Sequence, residues 1–203
     1  MSHLILASAS PRRKELLQLL GVPFSTQPAD ILEEKQAHET PREYVERLAY
    51  EKAAAVLASE ASSANVERQA VRGSGIAVLG SDTVVVCDDK VLEKPVDFAH
   101  FKRMMAMLSG RSHQVYTAVS LLTQQQNWHC CVVTEVSFRA LSDEDIQAYW
   151  ASGEPLDKAG GYGIQGLAGK FVTGLNGSYF AVVGLPLYET EHLLKQWLAA
   201  DSG

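Results

Sequence analysis

Positive charge is scarce in this sequence, and that scarcity excludes one class of protein. Among 203 residues, 18 lysines and arginines face 24 aspartates and glutamates, which gives a formal net charge of −6. Sequence-independent binding to nucleic acid needs a basic face, so the composition argues against bulk nucleic acid as a partner. A small anionic substrate is still allowed, because a local cluster of cations can occur in an acidic protein.

Long apolar runs are also missing. No stretch approaches the roughly 20 apolar residues that cross a bilayer, so we predict no membrane association. The N-terminal segment Met1–Ser8 is too short to supply the apolar region of a signal peptide. We therefore expect a cytoplasmic protein.

Cysteine is the third scarce feature. Cys87, Cys130 and Cys131 are odd in number and have no CxxC spacing. We interpret them as small side chains buried in strands, which a zinc site or a catalytic thiol explains less well. His113, at the start of a predicted strand, is interpreted as a structural residue in the same way.

The pattern of apolar residues predicts a mixed α and β architecture. A short strand over His3–Ala7 leads into a helix that Ser10 caps and Pro11 begins. The capping box Thr40–Glu43 predicts a second helix, and Ile76–Cys87 is a strongly β-forming run. Later strands follow one another directly, which favours antiparallel pairs alongside at least one βα unit.

The remaining segments are predicted from composition. Residues Ser59–Gly75 lack periodicity and are predicted to form a surface loop. Glu154–Gly169 is predicted to be a glycine-rich loop, and Phe171–Thr173 and Ser178–Val183 to be strands.

A candidate anion site lies at the first predicted helix. Ser8-Ala9-Ser10-Pro11-Arg12-Arg13 places two arginines and two hydroxyls at a helix N-terminus. Unpaired N–H groups and the positive end of the helix dipole favour an anion there. The paired N–H donors of an arginine guanidinium also have the geometry to bind two phosphate oxygens at once. Arginine in the first turn opposes the dipole, so the pattern favours bound phosphate over solvated surface arginines.

An acidic residue interrupts the β-forming run. Asp82, in Gly80-Ser81-Asp82-Thr83, is costly inside a buried strand unless it is paired or binds a metal. A strand end that opens on a cleft is the usual solution, and the alternative is a local cap at a bulge marked by Gly80. Glu33 is a candidate metal partner, although its pattern alone favours a plain loop acid.

Two lysines and one glutamine complete the candidate residues. Lys52 lies on the apolar face of the second helix and Lys94 just after a strand, and each alone is compatible with a surface role. Gln165 offers a donor and an acceptor together, which suits the edge of a base. It lies in Gly161–Gly166, which matches G-x-G-x-x-G but not in the first βαβ unit that a dinucleotide site requires.

Six motifs span almost the whole chain: Ser8–Arg13 (SASPRR), Gly80–Thr83 (GSDT), Glu93–Pro95 (EKP), Ser109–Thr117 (SGRSHQVYT), Glu154–Gly166 (EPLDKAGGYGIQG) and Gly177–Leu187 (GSYFAVVGLPL). Together, and in this order, they resemble the Maf family of nucleoside-triphosphate pyrophosphatases. The segment over Ser59–Gly75 looks longer than the connection usual in that family.

The resemblance implies a mixed α/β fold, with an elongated, twisted mixed sheet flanked by helices, as in the inosine-triphosphatase-like superfamily. It implies a single domain over residues 1–203 with two lobes around a cleft. It also implies hydrolysis between the α and β phosphates of a nucleoside triphosphate. The glycine-rich segment resembles the branch that acts on dTTP and UTP, and the sequence does not rank these against modified pyrimidine nucleotides.

The resemblance further implies roles for individual residues. Asp82 matches the family's proton acceptor, and Arg12, Thr83 and Gln165 match positions linked to substrate choice. A divalent cation, Mg²⁺ or Mn²⁺, would be held by Asp82 with Glu33, and a homodimer is expected. The triphosphate would be held by Ser8, Ser10, Arg12 and Arg13, helped by Lys52 and Lys94.

Two alternatives stay open at the level of sequence. Asp82 would serve as both metal ligand and base, unless a second metal generates the attacking hydroxide. The competing function is a non-enzymatic regulator of cell division that senses nucleotides or binds nucleic acid. The net charge of −6 and the presence of Arg13, Asp82 and Lys94 favour the enzyme.

Overall fold

The computed structural model describes residues 3–62 and 75–201, and these residues form six α-helices, three short 3₁₀ helices and a seven-stranded sheet. The strands are β1 (His3–Leu6), β2 (Phe24–Thr26), β3 (Ile76–Cys87), β4 (Lys90–Leu92), β5 (Ser112–Leu122), β6 (Asn127–Phe138) and β7 (Val172–Asn176). The α-helices are α1 (Pro11–Gln18), α2 (Pro41–Ser62), α3 (Phe98–Leu108), α4 (Asp143–Ala151), α5 (Tyr179–Val183) and α6 (Leu187–Asp201). The 3₁₀ helices are Glu154–Asp157, Ala159–Gly161 and Leu167–Phe171.

The sheet is mixed. Its strand order is β2-β1-β3-β5-β6-β7, with β4 paired to β3 outside this path. The pairs β1–β2 and β1–β3 are parallel, and the pairs that join β3 to β4, β3 to β5, β5 to β6 and β6 to β7 are antiparallel. The expected mixed sheet flanked by helices is confirmed.

One edge of β3 is open at its centre. Along this edge, β1 pairs with residues 76–79 and β4 pairs with residues 85–87, while β5 occupies the opposite edge over residues 78–86. Among the described strands, none pairs with residues 80–84 on the first edge. The sheet therefore carries a gap between the end of β1 and the end of β4, and Asp82 lies at its middle.

Helices cover both faces of the sheet, and the alternation of side chains along β3 separates the two layers. On one face, Val84 and Val86 pack with Tyr44, Val45 and Leu48 of α2. On the other face, Leu79 packs with α1 and α6, and Val85 packs with α3 and α4. Asp82 shares the face of α2, whereas Thr83 shares the opposite face.

Gly80 allows α2 to lie directly on β3. A Cβ atom at this position would meet the carbonyl oxygen of Ala49 at 2.1 Å and the backbone nitrogen of Ala53 at 2.9 Å. The ladder between β3 and β5 runs through Gly80 without a register shift, so the alternative of a bulge at this glycine is wrong. The glycine instead brings the backbone of α2 close enough for Lys52 to reach Asp82.

Two predicted elements differ from the structure, and one short strand was not predicted. Ser178–Val183 is not a strand, because Ser178 caps the short helix α5 by accepting a hydrogen bond from the Ala181 N–H. The predicted loop over Ser59–Gly75 is wrong at its start, because α2 continues to Ser62, and its part over 63–74 lies outside the described residues. Strand β2 was not predicted from its three residues.

The cysteines lie in strands as predicted. Cys87 is buried in β3, while Cys130 and Cys131 are only partly buried in β6. Burial raises the pKa of the Cys131 thiol to about 11, which disfavours a reactive thiolate. Within residues 3–62 and 75–201, no helix combines the length and the hydrophobicity that a bilayer-spanning segment requires.

Candidate functional site

A cleft of about 820 Å³ opens at the gap in the sheet. It is lined from three directions, by the turn before α1, by α2 with the segment that precedes it, and by the glycine-rich segment after α4. All ten residues predicted for the site line this one cleft: Ser8, Ser10, Arg12, Arg13, Glu33, Lys52, Asp82, Thr83, Lys94 and Gln165. The structure therefore brings the predicted residues together, and their individual roles stay predictions.

The centre of the cleft is an ion triad. The Lys52 ammonium donates to the Asp82 carboxylate at 2.6 Å and lies 2.7 Å from the Glu33 carboxylate. Lys52 and Asp82 are both buried, whereas Glu33 is exposed. Asp82 lies in the middle of a long strand, so the expected location at a strand end is wrong; the open edge of β3 gives solvent access instead.

The two carboxylates of this triad have opposite pKa shifts. Burial raises the pKa of Asp82 above its ordinary value, although the charges of Lys52 and Arg13 oppose the shift. Burial also acts to raise the pKa of Glu33, but its hydrogen bond with Lys52 and the nearby cations outweigh burial and leave the pKa lowered. Burial therefore dominates at Asp82, and the neighbouring cations dominate at Glu33.

Arg13 is fixed in the cleft by a chain of hydrogen bonds. Its Nε donates to the carbonyl of Gly184 at 3.0 Å, and its guanidinium also donates to the Thr83 hydroxyl at 3.3 Å. Thr117 donates to the Ala181 carbonyl at 2.6 Å, so Thr83 must be the donor in its 3.0 Å contact with Thr117. This order leaves the Thr83 oxygen free to accept from Arg13.

The turn before α1 has the predicted capped geometry. The Ser8 hydroxyl oxygen accepts from the N–H of Ser10 at 3.1 Å, and the Ser10 oxygen accepts from the N–H of Arg13 at 3.4 Å. Arg12 reaches across the cleft to lie 4.0 Å from Asp157, which is exposed. The arginines therefore differ: Arg13 is anchored inside the protein, and Arg12 bridges to the glycine-rich segment.

Sequence reasoning missed several residues that shape the cleft. The Tyr44 hydroxyl donates to the Glu33 carbonyl at 3.2 Å and is 3.4 Å from the Glu93 carboxylate, so it links two walls of the cleft. Thr117 and Gly184 hold Thr83 and Arg13. Thr117 and Gly184 lie in two of the six motifs and Tyr44 directly follows the capping box, but nothing in the local sequence shows that distant segments meet at Arg13.

His113 is structural, as predicted. Its Nε2 is 2.7 Å from the Tyr162 hydroxyl, and its ring packs edge-on against Phe138 with ring centroids 5.0 Å apart. Burial lowers the pKa of His113 to about 4, so the ring is neutral at pH 7. It supports Tyr162, which lines the cleft.

Positive and negative charges balance in the cleft. Five cationic side chains and five carboxylates line it, so its wall has no formal excess of positive charge. Among the described residues, no cluster of three or more histidine, cysteine, aspartate or glutamate side chains is arranged to hold a metal. Oxygens of Glu33 and Asp82 nevertheless both lie within 2.7 Å of the Lys52 ammonium nitrogen, so the two carboxylates converge on one cationic group. Two carboxylates that share Mg²⁺ with substrate phosphates are a usual arrangement.

Comparison with known proteins finds relatives that match nearly the whole chain. A dTTP/UTP pyrophosphatase from Vibrio parahaemolyticus is 54% identical over 195 residues, which cover 96% of this chain and 97% of that protein. The dTTP/UTP pyrophosphatases of Vibrio cholerae and Pectobacterium atrosepticum are 51% and 50% identical, and cover 97% and 100% of this chain and 99% and 96% of their own lengths.

Among solved structures, the Staphylococcus aureus Ham1 protein matches with a TM-score of 0.41 and 11% identity, over 68% of this chain and 72% of that one. The family model described as Maf-like protein matches residues 3–197. The chain therefore belongs to the Maf-like protein family.

Proposed function

We propose that this protein hydrolyses dTTP and UTP to the nucleoside monophosphate and pyrophosphate. The observation that carries the proposal is the triad at the open edge of β3, where a buried carboxylate of raised pKa lies beside anchored cations. Relatives that are 50–54% identical over nearly the whole chain are named dTTP/UTP pyrophosphatases, which supports the same activity here.

In this proposal, the cations of the cleft bind the triphosphate. Arg13 has a fixed guanidinium, because Gly184 and Thr83 accept two of its hydrogen bonds. Lys94 is exposed and Arg12 is half-buried at the rim, and Ser8 and Ser10 contribute hydroxyl donors. A side chain fixed before binding loses less conformational freedom, so Arg13 contributes more to orientation than the rim cations do.

The reaction then needs a base near the α phosphorus. A water molecule attacks the α phosphorus, the bond from that phosphorus to the α–β bridging oxygen breaks, and pyrophosphate leaves with the electron pair. The water proton passes to the Asp82 carboxylate, which burial makes more basic than an exposed aspartate. Lys52 orients that carboxylate and stabilises its charged form before the transfer.

We include a divalent cation, Mg²⁺ or Mn²⁺, in this proposal. Asp82 with Glu33 would hold it, and when bound it supplies neutralisation of phosphate charge. Glu33 suits this part because its pKa is lowered and its carboxylate is exposed to the cleft.

Recognition of the base belongs to the glycine-rich segment. Gln165 is exposed at the cleft and presents a donor and an acceptor to the O2, N3 and O4 edge of uracil or thymine. Arg12 and Thr83 would contribute to substrate choice from the opposite wall.

The proposal also includes a homodimer that is located in the cytoplasm. Light scattering of the purified protein tests the dimer, and cell fractionation tests the location.

The test is pyrophosphate release from dTTP, UTP, CTP and GTP in the presence of Mg²⁺. We expect release from dTTP and UTP, and its loss in Asp82→Asn. Asp89→Asn is the matched control, because Asp89 lies in the exposed β3–β4 turn with a positive φ that asparagine tolerates. Turnover retained in Asp82→Asn, or tight binding of a nucleotide without any turnover by the unaltered protein, would contradict the proposal.

A further inference from the structure

The segment that carries Gln165 is held at both of its ends by one pair of side chains. The Tyr149 hydroxyl accepts a hydrogen bond from the N–H of Gly163 at 3.2 Å and donates to the Glu154 carboxylate at 2.8 Å. The other oxygen of Glu154 accepts from the N–H of Leu167 at 2.9 Å. Gln165 lies midway between the two anchored amides.

Tyr149 is itself rigidly held. It is buried in α4, and its ring packs edge-on against Phe171, with ring centroids 5.4 Å apart, and tilted against Phe101. Burial raises the pKa of the Tyr149 hydroxyl, so it stays protonated and keeps its role as donor to Glu154. The anchor of the loop is therefore part of the core.

The glycines of the segment fit around this carboxylate. A Cβ atom at Gly166 would lie 2.3 Å and 2.4 Å from the two oxygens of Glu154. Any side chain at this position would displace the carboxylate from Leu167 or from Tyr149. The absence of a side chain at Gly166 is therefore a second, independent indication that the segment packs closely around the Glu154 carboxylate.

We propose that Tyr149 and Glu154 are positioning residues that set base selectivity by holding Gln165 at the cleft. This inference rests on the proposed function, in which Gln165 contacts the base. Neither side chain needs to touch the nucleotide, because Tyr149 acts through the Gly163 amide and Glu154 acts through the Leu167 amide. The triad of Asp82 is in another wall of the cleft, so loosening the loop leaves the chemistry of the phosphates in place.

The central experiment measures kcat and KM for dTTP, UTP, CTP and GTP in Tyr149→Phe, which removes one hydroxyl and keeps the packed ring. We expect kcat/KM for dTTP and UTP to fall roughly five- to tenfold, the size of change that one buried neutral hydrogen bond carries. The fall should come mainly from KM, and the values for CTP and GTP should not change. A merely structural role would lower kcat for dTTP and UTP and leave KM unchanged, and that result would overturn the proposal.

Three further variants test the Glu154 side of the same anchor. Glu154→Ala should reduce the preference for dTTP and UTP, measured as kcat/KM, more than Tyr149→Phe does. Glu154→Gln should restore part of this preference, because the amide oxygen still accepts one hydrogen bond. Gly166→Ala should resemble Glu154→Ala. Tyr188→Phe is the matched control, since Tyr188 is 79% exposed on α6 and lines no part of the cleft.

Amide hydrogen exchange separates this inference from the proposed function. Exchange at Gly163 should be faster in Tyr149→Phe, and exchange at Leu167 faster in Glu154→Ala, whether or not any nucleotide is hydrolysed. Unchanged exchange at both amides overturns the anchor. If Gln165→Ala reduces the preference for dTTP and UTP and Tyr149→Phe does not, the positioning role is wrong while the proposed function stands.

Discussion

Gly80 provides a quantitative test of how this fold builds its site. In Gly80→Ala, the new methyl group would lie 2.1 Å from the carbonyl oxygen of Ala49, where an ordinary contact needs about 3.4 Å. Helix α2 must therefore retreat from β3 by roughly 1.3 Å, since both neighbours at this contact are backbone. Lys52 lies between Ala49 and Ala53 in the sequence and moves with the helix.

Two effects of this retreat can be estimated. Overpacking of this kind costs about 1–3 kcal/mol in the free energy of unfolding, which is roughly 2–12 °C in melting temperature for a chain of this size. Movement of Lys52 lengthens its 2.6 Å contact with Asp82, and a displacement of about 1 Å in a catalytic group can reduce the rate by about 10²-fold. We therefore expect activity to fall much further than stability.

The assay is pyrophosphate release from dTTP at a temperature well below the melting transition, with the transition followed by circular dichroism. Gly174→Ala is the matched control, because a Cβ atom at Gly174 in β7 would make only ordinary contacts, 3.9 Å from Ser137. The control should keep its activity and its melting temperature. Full activity in Gly80→Ala would refute the argument that close approach of α2 sets the geometry of the triad.

Three more predictions follow from the same geometry. Lys52→Met leaves the buried Asp82 carboxylate without its closest cation, so it should lower the free energy of unfolding by about 3–5 kcal/mol at neutral pH. In this variant the pKa of Asp82, which burial already raises, should rise further. The stability that the protonated carboxyl gives is therefore present at low pH and lost as the pH rises through that pKa. Urea unfolding should accordingly show a larger loss of unfolding free energy, relative to the unaltered protein, at pH 8 than at pH 5. Thr117→Val removes the acceptor of Thr83 and loosens Arg13, so it should cost about 1–3 kcal/mol and raise KM for dTTP, as thermal unfolding and steady-state kinetics would show. Removal of divalent cations by a chelator should stop pyrophosphate release, and added Mg²⁺ or Mn²⁺ should restore it; turnover that continues in excess chelator would contradict the metal's part.

The sequence predicts which residues line the cleft better than it predicts how they are arranged there. Charge scarcity and the motifs indicate which residues gather at the cleft, because each is chemically unusual where it lies: arginines in a first helical turn, and an aspartate in an apolar strand. The location of Asp82 in the middle of β3 could not be derived in this way. It depends on where β1 and β4 stop pairing with β3, which is set by contacts between segments far apart in the chain.

The prediction of a strand over Ser178–Val183 fails for a similar reason. Tyr, Phe and Val favour strands in general, but β propensity is mostly a measure of packing on a sheet, and tertiary context overrides it. Here Ser178 caps a single short helix, and Gly184 ends it with a φ of 131° that other residues rarely adopt. The cap and the terminating glycine were both visible in the sequence, and they carried more information than the apolar run between them.

The helical form of this segment also fixes Arg13 in one wall of the cleft. At its end, the Ala181 carbonyl accepts from Thr117, and the Gly184 carbonyl accepts from both Ser81 and Arg13. In a strand, these carbonyls would be directed to neighbouring strands and would not converge on one arginine. Because α5 supplies acceptors that are already in place, Arg13 is oriented before any anion enters, and binding energy need not be spent on ordering it. A segment nearly 170 residues after Arg13 in the sequence therefore determines how the first helix presents its charge.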